Sequence, residues 1–175
     1  MSKSFPGFGS PAAGFDEPLD MLAACHERIE AQLGILDRLP GHLTVHGADE
    51  EARSAAGRVL RYFDDAGPKH HADEESDLFP LLEARGALCE LIALLREDHR
   101  GMALSYAALR PLLQAVAAGK AGMWEEQIAS RFSVLYRNHI VRENAELLPA
   151  SGKLLDDTDR ASLAATMIAR RSHHS

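Results

Sequence analysis

The sequence predicts an all-α fold, in which four long helices form an antiparallel bundle, an irregular arm precedes them and a short fifth helix follows. Aromatic residues make up only 6% of the chain, whereas alanine and leucine are abundant, a composition that favours helices over sheets. Apolar residues recur through most of the chain at the three- and four-residue intervals of one helix face. Two histidine motifs and two lone histidines repeat at similar spacing, which indicates a helical hairpin present twice.

The two ends of the chain differ from its middle. Residues 1–15 are rich in glycine, proline and serine and lack hydrophobic periodicity, so we predict a flexible N-terminal arm. The four-helix domain is predicted to span residues 16–150. Residues 151–175 are predicted to form a short helix, from about residue 158 to residue 170, and a polar tail.

The first two long helices are separated by a proline and a glycine. The first is predicted to start near Asp16 and to end at Pro40-Gly41, because these residues stop a helix, and residues 42–49 then form a loop. The second is predicted over about residues 49–84. Gly67-Pro68 falls inside it, and since proline removes a backbone donor and clashes with the preceding turn, we expect a kink or short break there.

The third and fourth helices are predicted over about residues 87–118 and 123–148, with glycine-containing turns before each.

The number of residues between each histidine and the turn that joins two helices tests whether histidines on different helices can meet. His70, His99 and His139 lie at matching distances, so they are level in an antiparallel bundle. The first pair of helices matches less well, because His26 lies about thirteen residues before its turn whereas His70 lies about twenty-one after it. The expected kink, or an overhanging start of the second helix, would absorb this difference.

Composition excludes several classes of protein. At 175 residues, with 46% hydrophobic and 26% charged residues, the chain fits one soluble globular domain. A net charge of −7 without lysine or arginine clusters argues against nucleic acid or an anionic membrane as partner. No apolar run approaches ~18 residues, and no export signal is evident. The two cysteines form no Cys-x-x-Cys pair, so we expect a reduced, cytoplasmic setting.

The repeated motif is a histidine followed four residues later by a glutamate. Its copies, residues 70–80 and 139–149, share His, Glu, Leu and Pro at the same offsets. Residues four apart lie on the same face of a helix, so each copy directs an imidazole and a carboxylate at one point. His26 and His99 stand singly among apolar residues at helical spacing, seventy-three residues apart, close to the sixty-nine that separate the motifs.

Together these segments predict a metal centre in the bundle core. A site for two cations needs imidazole nitrogens and carboxylates that bridge ions about 3.5–4 Å apart. The spacing differs from the Glu-x-x-His pairs of ferritin-like bundles and from the His-Glu-x-x-His of zinc proteases. The candidate ligands are His26, His70, Glu74, His99, His139 and Glu143.

These segments, in this order, resemble the hemerythrin-like, HHE-type cation-binding family over about residues 16–150. The resemblance implies an up-down four-helix bundle holding a non-haem di-iron centre. It also implies that the four histidines named above are terminal ligands and that Glu74 and Glu143 are bridging ligands. Zinc or manganese would suit the same donors.

The chain departs from the oxygen-carrying hemerythrins in two places. Where their last helix has an aspartate five residues after the histidine, this chain has Asn144, and Glu143 serves instead. They also have a second histidine one turn from that of the third helix, where this chain offers only Leu95 or Ala103. The missing fifth histidine argues against pure oxygen storage and leaves a metal position open.

The neighbours of the motif residues receive weaker assignments. His71 is rotated about 100° from His70 on a helix, so we expect it not to be a ligand, and Glu75 to be solvated. A rotation of the kinked helix by one residue would instead make His71 and Glu75 the ligands. Glu30 is expected either to orient His26 or to be a surface acid. No role is assigned to the remaining histidines, His42, His46, His173 and His174.

The resulting functional expectation is a di-iron protein that binds or reacts with oxygen, nitric oxide or peroxide, in redox or oxygen sensing or in oxidative or nitrosative stress. One alternative is an enzyme on the same centre, a peroxidase or a nitric oxide-reducing catalyst. Another is a redox-inert zinc protein with a structural or storage role. Positions one turn from the histidines, among them Leu22 and Leu135, are apolar, so we expect a dry pocket that delivers protons slowly. The sequence sets no oligomeric state.

Overall fold

In the computed structural model, residues 17–172 are described; they form five helical runs, and no strand occurs among them. The runs are α1 (Pro18–His46), α2 (residues 50–83), α3 (Cys89–Ala117), α4 (residues 126–154) and α5 (Asp157–Ser172). Run α2 contains three α-helices, Glu50–Arg61, Gly67–Asp73 and Phe79–Glu83, and the π-helical turns Tyr62–Ala66 and Glu74–Leu78 lie between them. Run α4 contains two α-helices, Glu126–Arg142 and Leu148–Leu154, and the π-helical turn Glu143–Leu147 lies between them. The predicted arm, residues 1–15, lies outside the described part.

The prediction of an all-α fold is confirmed. Each of α1 to α4 packs against the next, α4 also packs against α1, and α5 lies against α1 and α2. The up-down order of the four long helices stays a prediction. None of the helices within residues 17–172 is long and apolar enough to cross a membrane.

Helix α1 is longer than predicted, since Pro40-Gly41 does not end it. The helix continues to His46 because Leu39 and Leu43 keep its apolar face on the core. It stops at Gly47, whose φ of 67° suits glycine and whose N–H donates to Leu43 O at 2.9 Å.

The corrected end of α1 removes the mismatch in depth between the first two helices. His26 lies twenty residues before the end of α1 at His46, and His70 lies twenty residues after the start of α2 at Glu50. Because the two distances are equal, no kink is needed to bring the two histidines level.

Each of the three π-helical turns ends immediately before a residue followed by proline. The dipeptides concerned are Gly67-Pro68, Phe79-Pro80 and Leu148-Pro149, and the first residue of each donates its N–H to the carbonyl five residues earlier. Proline cannot donate to the α-helical ladder and clashes with the preceding turn, and the wider π turn accommodates it. At the first dipeptide the helix therefore takes a π turn and continues, where we had expected a kink or short break.

Gly67 leaves room for the aromatic core at the first π turn. A β-carbon built on it would lie 3.2 Å from the Phe63 ring, closer than such contacts normally come. The absence of a side chain lets α2 approach the aromatic core at this point.

The core consists of two apolar clusters with a polar layer between them. The first cluster, which includes Ile29, Phe63, Met102 and Phe132, lies toward the α1–α2 loop. The second, which includes Leu22, Leu78, Leu95, Leu147 and Met167, lies toward α5. On each of α1 to α4, the histidine predicted as a ligand falls between a residue of one cluster and a residue of the other. The polar layer is therefore closed by apolar side chains on both sides.

Helix α5 is fastened to α2 by charge as well as by apolar contacts. Asp73, which is fully buried, accepts hydrogen bonds from Arg170 and from Arg171, the latter at 2.6 Å. Arg170 also donates to Asp77 at 2.7 Å. The carboxylate of Asp73 thus has two cationic partners from one turn of α5.

We predict that Asp73→Asn lowers the free energy of unfolding of the metal-free protein by ~3 kcal/mol, because the substitution leaves the partly buried guanidinium group of Arg171 without a carboxylate and that of Arg170 with Asp77 alone. Urea denaturation after treatment with a chelator measures this. The control is Glu97→Gln, which breaks an exposed ion pair with Arg100 and should cost at most ~1 kcal/mol. Equal losses in the two variants would contradict the role given to Asp73.

Candidate metal centre

The six predicted ligands come together in the polar layer. All six are buried, and none is more than 6% exposed. His26 comes from α1 and His99 from α3, whereas α2 and α4 each contribute the histidine and the glutamate of one motif. The helical spacing from which they were predicted therefore brings these side chains to one place.

Each carboxylate faces two histidines with separate oxygen atoms. Glu143 Oε2 lies 3.0 Å from His26 Nε2, and Glu143 Oε1 lies 3.1 Å from His139 Nε2. In the same way, Glu74 Oε1 lies 3.5 Å from His70 Nε2 and Glu74 Oε2 lies 3.3 Å from His99 Nε2. Each motif glutamate therefore reaches the histidine of its own helix and one lone histidine of another helix.

The donor atoms form two groups that share both glutamates. One group is His26, His70, Glu74 and Glu143, and the other is Glu74, His99, His139 and Glu143, with all donor atoms of a group within 4.8 Å of one another. Carboxylates common to two donor groups are what a pair of bridged cations requires. The arrangement can hold two metal ions side by side.

The protein alone leaves these donors unsatisfied. Both oxygens of Glu74 and of Glu143, both ring nitrogens of His70 and Nε2 of His26 are buried without a hydrogen bond of normal geometry. Leaving buried polar groups in this state costs ~1–3 kcal/mol each. Cations bound among them would satisfy these atoms. The residues present therefore fit a metal centre.

Burial sets the charge of the site. It lowers the pKa of His70 to about 3, so this imidazole is neutral at neutral pH and one of its ring nitrogens has a free lone pair. Burial also raises the pKa of Glu74 well above its usual range, and the adjacent Glu143 carboxylate adds to the effect. For Glu143, burial raises the pKa but the rings of His139 and His26 outweigh it and hold the pKa well below its usual range. Without metal, one of the two carboxyl groups therefore retains a proton that cations would displace.

Three of the four histidines are oriented by oxygen acceptors behind them. His26 Nδ1 lies 2.7 Å from Asn144 Oδ1, His99 Nδ1 lies 2.8 Å from Glu75 Oε1, and His139 Nδ1 lies 3.4 Å from Asp98 Oδ2. An acceptor at Nδ1 favours the tautomer that carries the proton there and leaves the Nε2 lone pair facing the centre. This is the usual support of a metal-ligating histidine.

Sequence reasoning missed these orienting residues, although the repeated motif contained a signal for two of them. Glu75 and Asn144 each follow the motif glutamate directly, and each contacts the lone histidine that this glutamate faces. The expectation that Glu75 is solvated is wrong, since it accepts hydrogen bonds from both His99 and Arg96. Glu30 does not orient His26; it pairs with Arg137 at 3.2 Å.

His71 also differs from its expected position. We predicted it to lie off the site, yet one of its ring nitrogens is within 4.8 Å of the donor atoms of His99 and His139. The alternative in which His71 and Glu75 replace His70 and Glu74 does not describe the structure, because His70 and Glu74 are both in the donor groups.

The predicted apolar surroundings are only partly as expected. Leu22 and Leu95 are fully buried, but Ala103 is exposed and Leu135 is half-buried. Tyr136, which we had not assigned, is buried and stacks on the His71 ring with centroids 5.7 Å apart.

The two described histidines without an assigned role, His42 and His46, lie away from the centre. His42 contacts Asp49 at the start of α2, with Nε2 2.8 Å from the carboxylate, and its ring is 4.7 Å from that of His46. His173 and His174 lie outside the described residues.

Comparison with known proteins agrees with the geometry. A family model described as the hemerythrin HHE cation binding domain matches residues 17–151. A protein of Haemophilus influenzae (strain ATCC 51907 / DSM 11121 / KW20 / Rd), described as an uncharacterized protein, is 30% identical over 132 residues, which are 75% of this chain and 77% of the relative.

We predict that Glu75→Ala weakens metal binding ~10–100-fold without changing the number of ions bound, because His99 loses the carboxylate that orients it. Titration of the chelator-treated protein with Co²⁺ measures affinity and stoichiometry. The control is Glu83→Ala, which removes a second partner of the same Arg96 but touches no histidine. An equal loss in both variants would show that the effect comes from Arg96.

Proposed function

Because the chain belongs to the hemerythrin HHE cation-binding domain family, we propose that its site holds two iron ions as a non-haem di-iron centre. The observation that carries the proposal concerns the carboxylate oxygens of Glu74 and Glu143. In each residue, one oxygen faces a histidine of one donor group and the other oxygen faces a histidine of the second group. His26 and His70 would hold one ion, His99 and His139 the other, and the two glutamates would bridge them. Zinc and manganese accept these donors as well, and metal analysis distinguishes the three.

The proposed activity is the binding of, or reaction with, a small ligand, oxygen, nitric oxide or peroxide. A di-iron centre would supply redox chemistry and a coordination position for such a ligand. Each of the two donor groups has only four donor side chains, so a position for the ligand would remain at the centre. A role in oxygen or redox sensing, or in oxidative or nitrosative stress, within the cytoplasm, is consistent with this chemistry.

The side chains around the centre favour slow turnover. Leu22 and Leu95, both fully buried, lie one turn before His26 and His99 and exclude water from those faces. Cleavage of peroxide and reduction of oxygen both require protons, and an apolar shell delivers them slowly. Tyr136, which stacks on His71, is a weak acid beside the centre, and burial raises its pKa above the ordinary phenol range, so it holds its proton tightly. In the alternative, a peroxidase or nitric oxide-reducing enzyme, this phenol would be the proton donor.

The proposal includes the up-down order of α1 to α4. The equal distances of His26 and His70 from the α1–α2 loop support it, as does the ring of contacts in which each long helix packs on its neighbours in the chain. The metal centre would then be built from four helices at one depth.

We predict that the purified protein binds two metal ions per chain and that Glu74→Ala or Glu143→Ala lowers both metal content and melting temperature. Loss of a bridging carboxylate leaves the two cations to repel each other, and metal binding stabilises only the folded state. Metal analysis is combined with an optical spectrum recorded without oxygen and again after exposure to air. A reconstituted wild-type protein with one ion or none would rule out the two-metal centre, and a colourless protein indifferent to air would favour zinc.

We predict slow turnover at the iron-loaded centre. Mixed with oxygen in a stopped-flow instrument, the reduced iron-loaded protein should form an adduct or become oxidised, and excess peroxide with a reductant should then be consumed slowly. The apolar shell and the tightly held phenol proton are the reasons. Sustained turnover of ~1–10³ per second, the ordinary range of enzymes, would make the enzyme interpretation correct.

A further inference from the structure

We propose that His71 is a third imidazole ligand of the metal position formed by His99 and His139, an inference that rests on the proposed two-metal centre. The site then has five histidines, and the fifth comes from α2, next to His70, and not from α3. The chain thereby replaces the histidine that its third helix lacks.

The placement of two adjacent histidines on opposite sides of the carboxylates is the first support. The His70 ring meets the His26 ring edge-on, with centroids 5.0 Å apart. The His71 ring instead stacks on His99, with centroids 4.1 Å apart and planes 18° from parallel, and lies 6.1 Å from the His139 ring. Each of the two neighbours therefore faces a different metal position.

The second support is an unpartnered nitrogen. Nε2 of His71 is buried and has no hydrogen-bond partner among the described residues, although the side chain as a whole is only half-buried. A ring nitrogen of His71 lies within 4.8 Å of donor atoms of both His99 and His139. A metal ion bound by those two histidines would be the partner that this nitrogen lacks.

The ring of His71 also has a second aromatic neighbour. It stacks against Tyr136 as well, with centroids 5.7 Å apart and planes 20° from parallel, in addition to its contact with His99. The α-helical segment that carries it, Gly67–Asp73, lies between two π-helical turns. Because a metal ion lies close to the plane of each imidazole that binds it, His71 would turn out of its parallel contact with His99 when both rings bind one ion.

With His71 as a ligand, the two metal positions become unequal. The position of His99 and His139 has three imidazoles and two carboxylates, whereas the position of His26 and His70 has two of each. The small ligand would therefore bind at the latter. A surface cleft of about 1000 Å³ reaches this side, and His26 and Asn144 are among the residues that line it.

The test is a titration of chelator-treated wild-type protein, His71→Ala and His71→Phe with Co²⁺, whose visible spectrum depends on the donor atoms. Phenylalanine keeps the stacking on His99 and Tyr136 but removes the nitrogen. We expect both variants to bind one of the two ions at least ~10-fold more weakly and to change its spectrum, since even loss of a residue that only orients a ligand costs ~10–100-fold. Added imidazole should restore the spectrum of His71→Ala.

Two double variants show which of the two ions His71 affects. Adding His71→Phe to His139→Ala should cause little further loss, because both act on one ion, whereas adding it to His26→Ala should weaken binding of both ions. The control His42→Ala removes a histidine distant from the centre and should bind as the wild type does.

The outcomes separate the two proposals. If wild-type protein binds two ions and His71→Phe binds both with unchanged affinity and spectrum, His71 is not a ligand and the two-metal centre stands. If wild-type protein binds fewer than two ions, the proposed centre itself fails and this inference fails with it. Melting temperatures of the metal-free variants show whether a loss comes from altered folding, and His71→Phe, which preserves the stacking, is the variant that decides.

Discussion

Two carboxylates, Glu74 and Glu143, lie side by side in the interior, and their charge is the constraint that the surrounding structure answers. Other acids near the site each have an arginine: Arg96 pairs with Glu75, Arg142 with Asp98, and Arg170 and Arg171 with Asp73. No arginine or lysine among the described residues pairs with the two motif glutamates. Their ion-pair partners among the described residues are imidazoles, so cations from outside the chain would help to hold both carboxylates ionised.

The π-helical turns connect the sequence motif to this chemistry. Glu74 and Glu143 are each the first residue of a π turn, and the proline of each motif lies six residues later. A proline at that offset prevents the regular ladder and makes the wider turn favourable. The shared Pro of the motif is therefore part of how the carboxylate is presented, whereas the shared Leu, at Leu78 and Leu147, packs in the second apolar cluster. Substitution of the proline would be expected to act on the site through the backbone.

The helical class and the meeting of the six candidate ligands followed from the sequence because the helical period fixes which residues share a face, and four separate segments agreed. The end of α1 was wrong because the local rule for Pro40-Gly41 lost to the burial of Leu39 and Leu43 farther along the helix. His71 was misplaced because its rotation of about 100° from His70, within the α-helical segment Gly67–Asp73, turns its ring toward His99 and not away from the site. Asp98 had no sequence signal, since only the packing of α3 on α4 brings it to His139.

Helix α5 extends this division of charge to the outside of the site. Asp73 precedes Glu74 directly and would add a third negative charge beside the pair if it were unpaired. Two guanidinium groups neutralise it, and Arg171 lies also 3.9 Å from the sulfur of Cys25, the neighbour of His26. One turn of α5 therefore contacts the residues adjacent to a candidate ligand on α1 and to a candidate ligand on α2. Because arginines compensate the outer acids, the negative charge left for the cations of the proposed centre is that of Glu74 and Glu143.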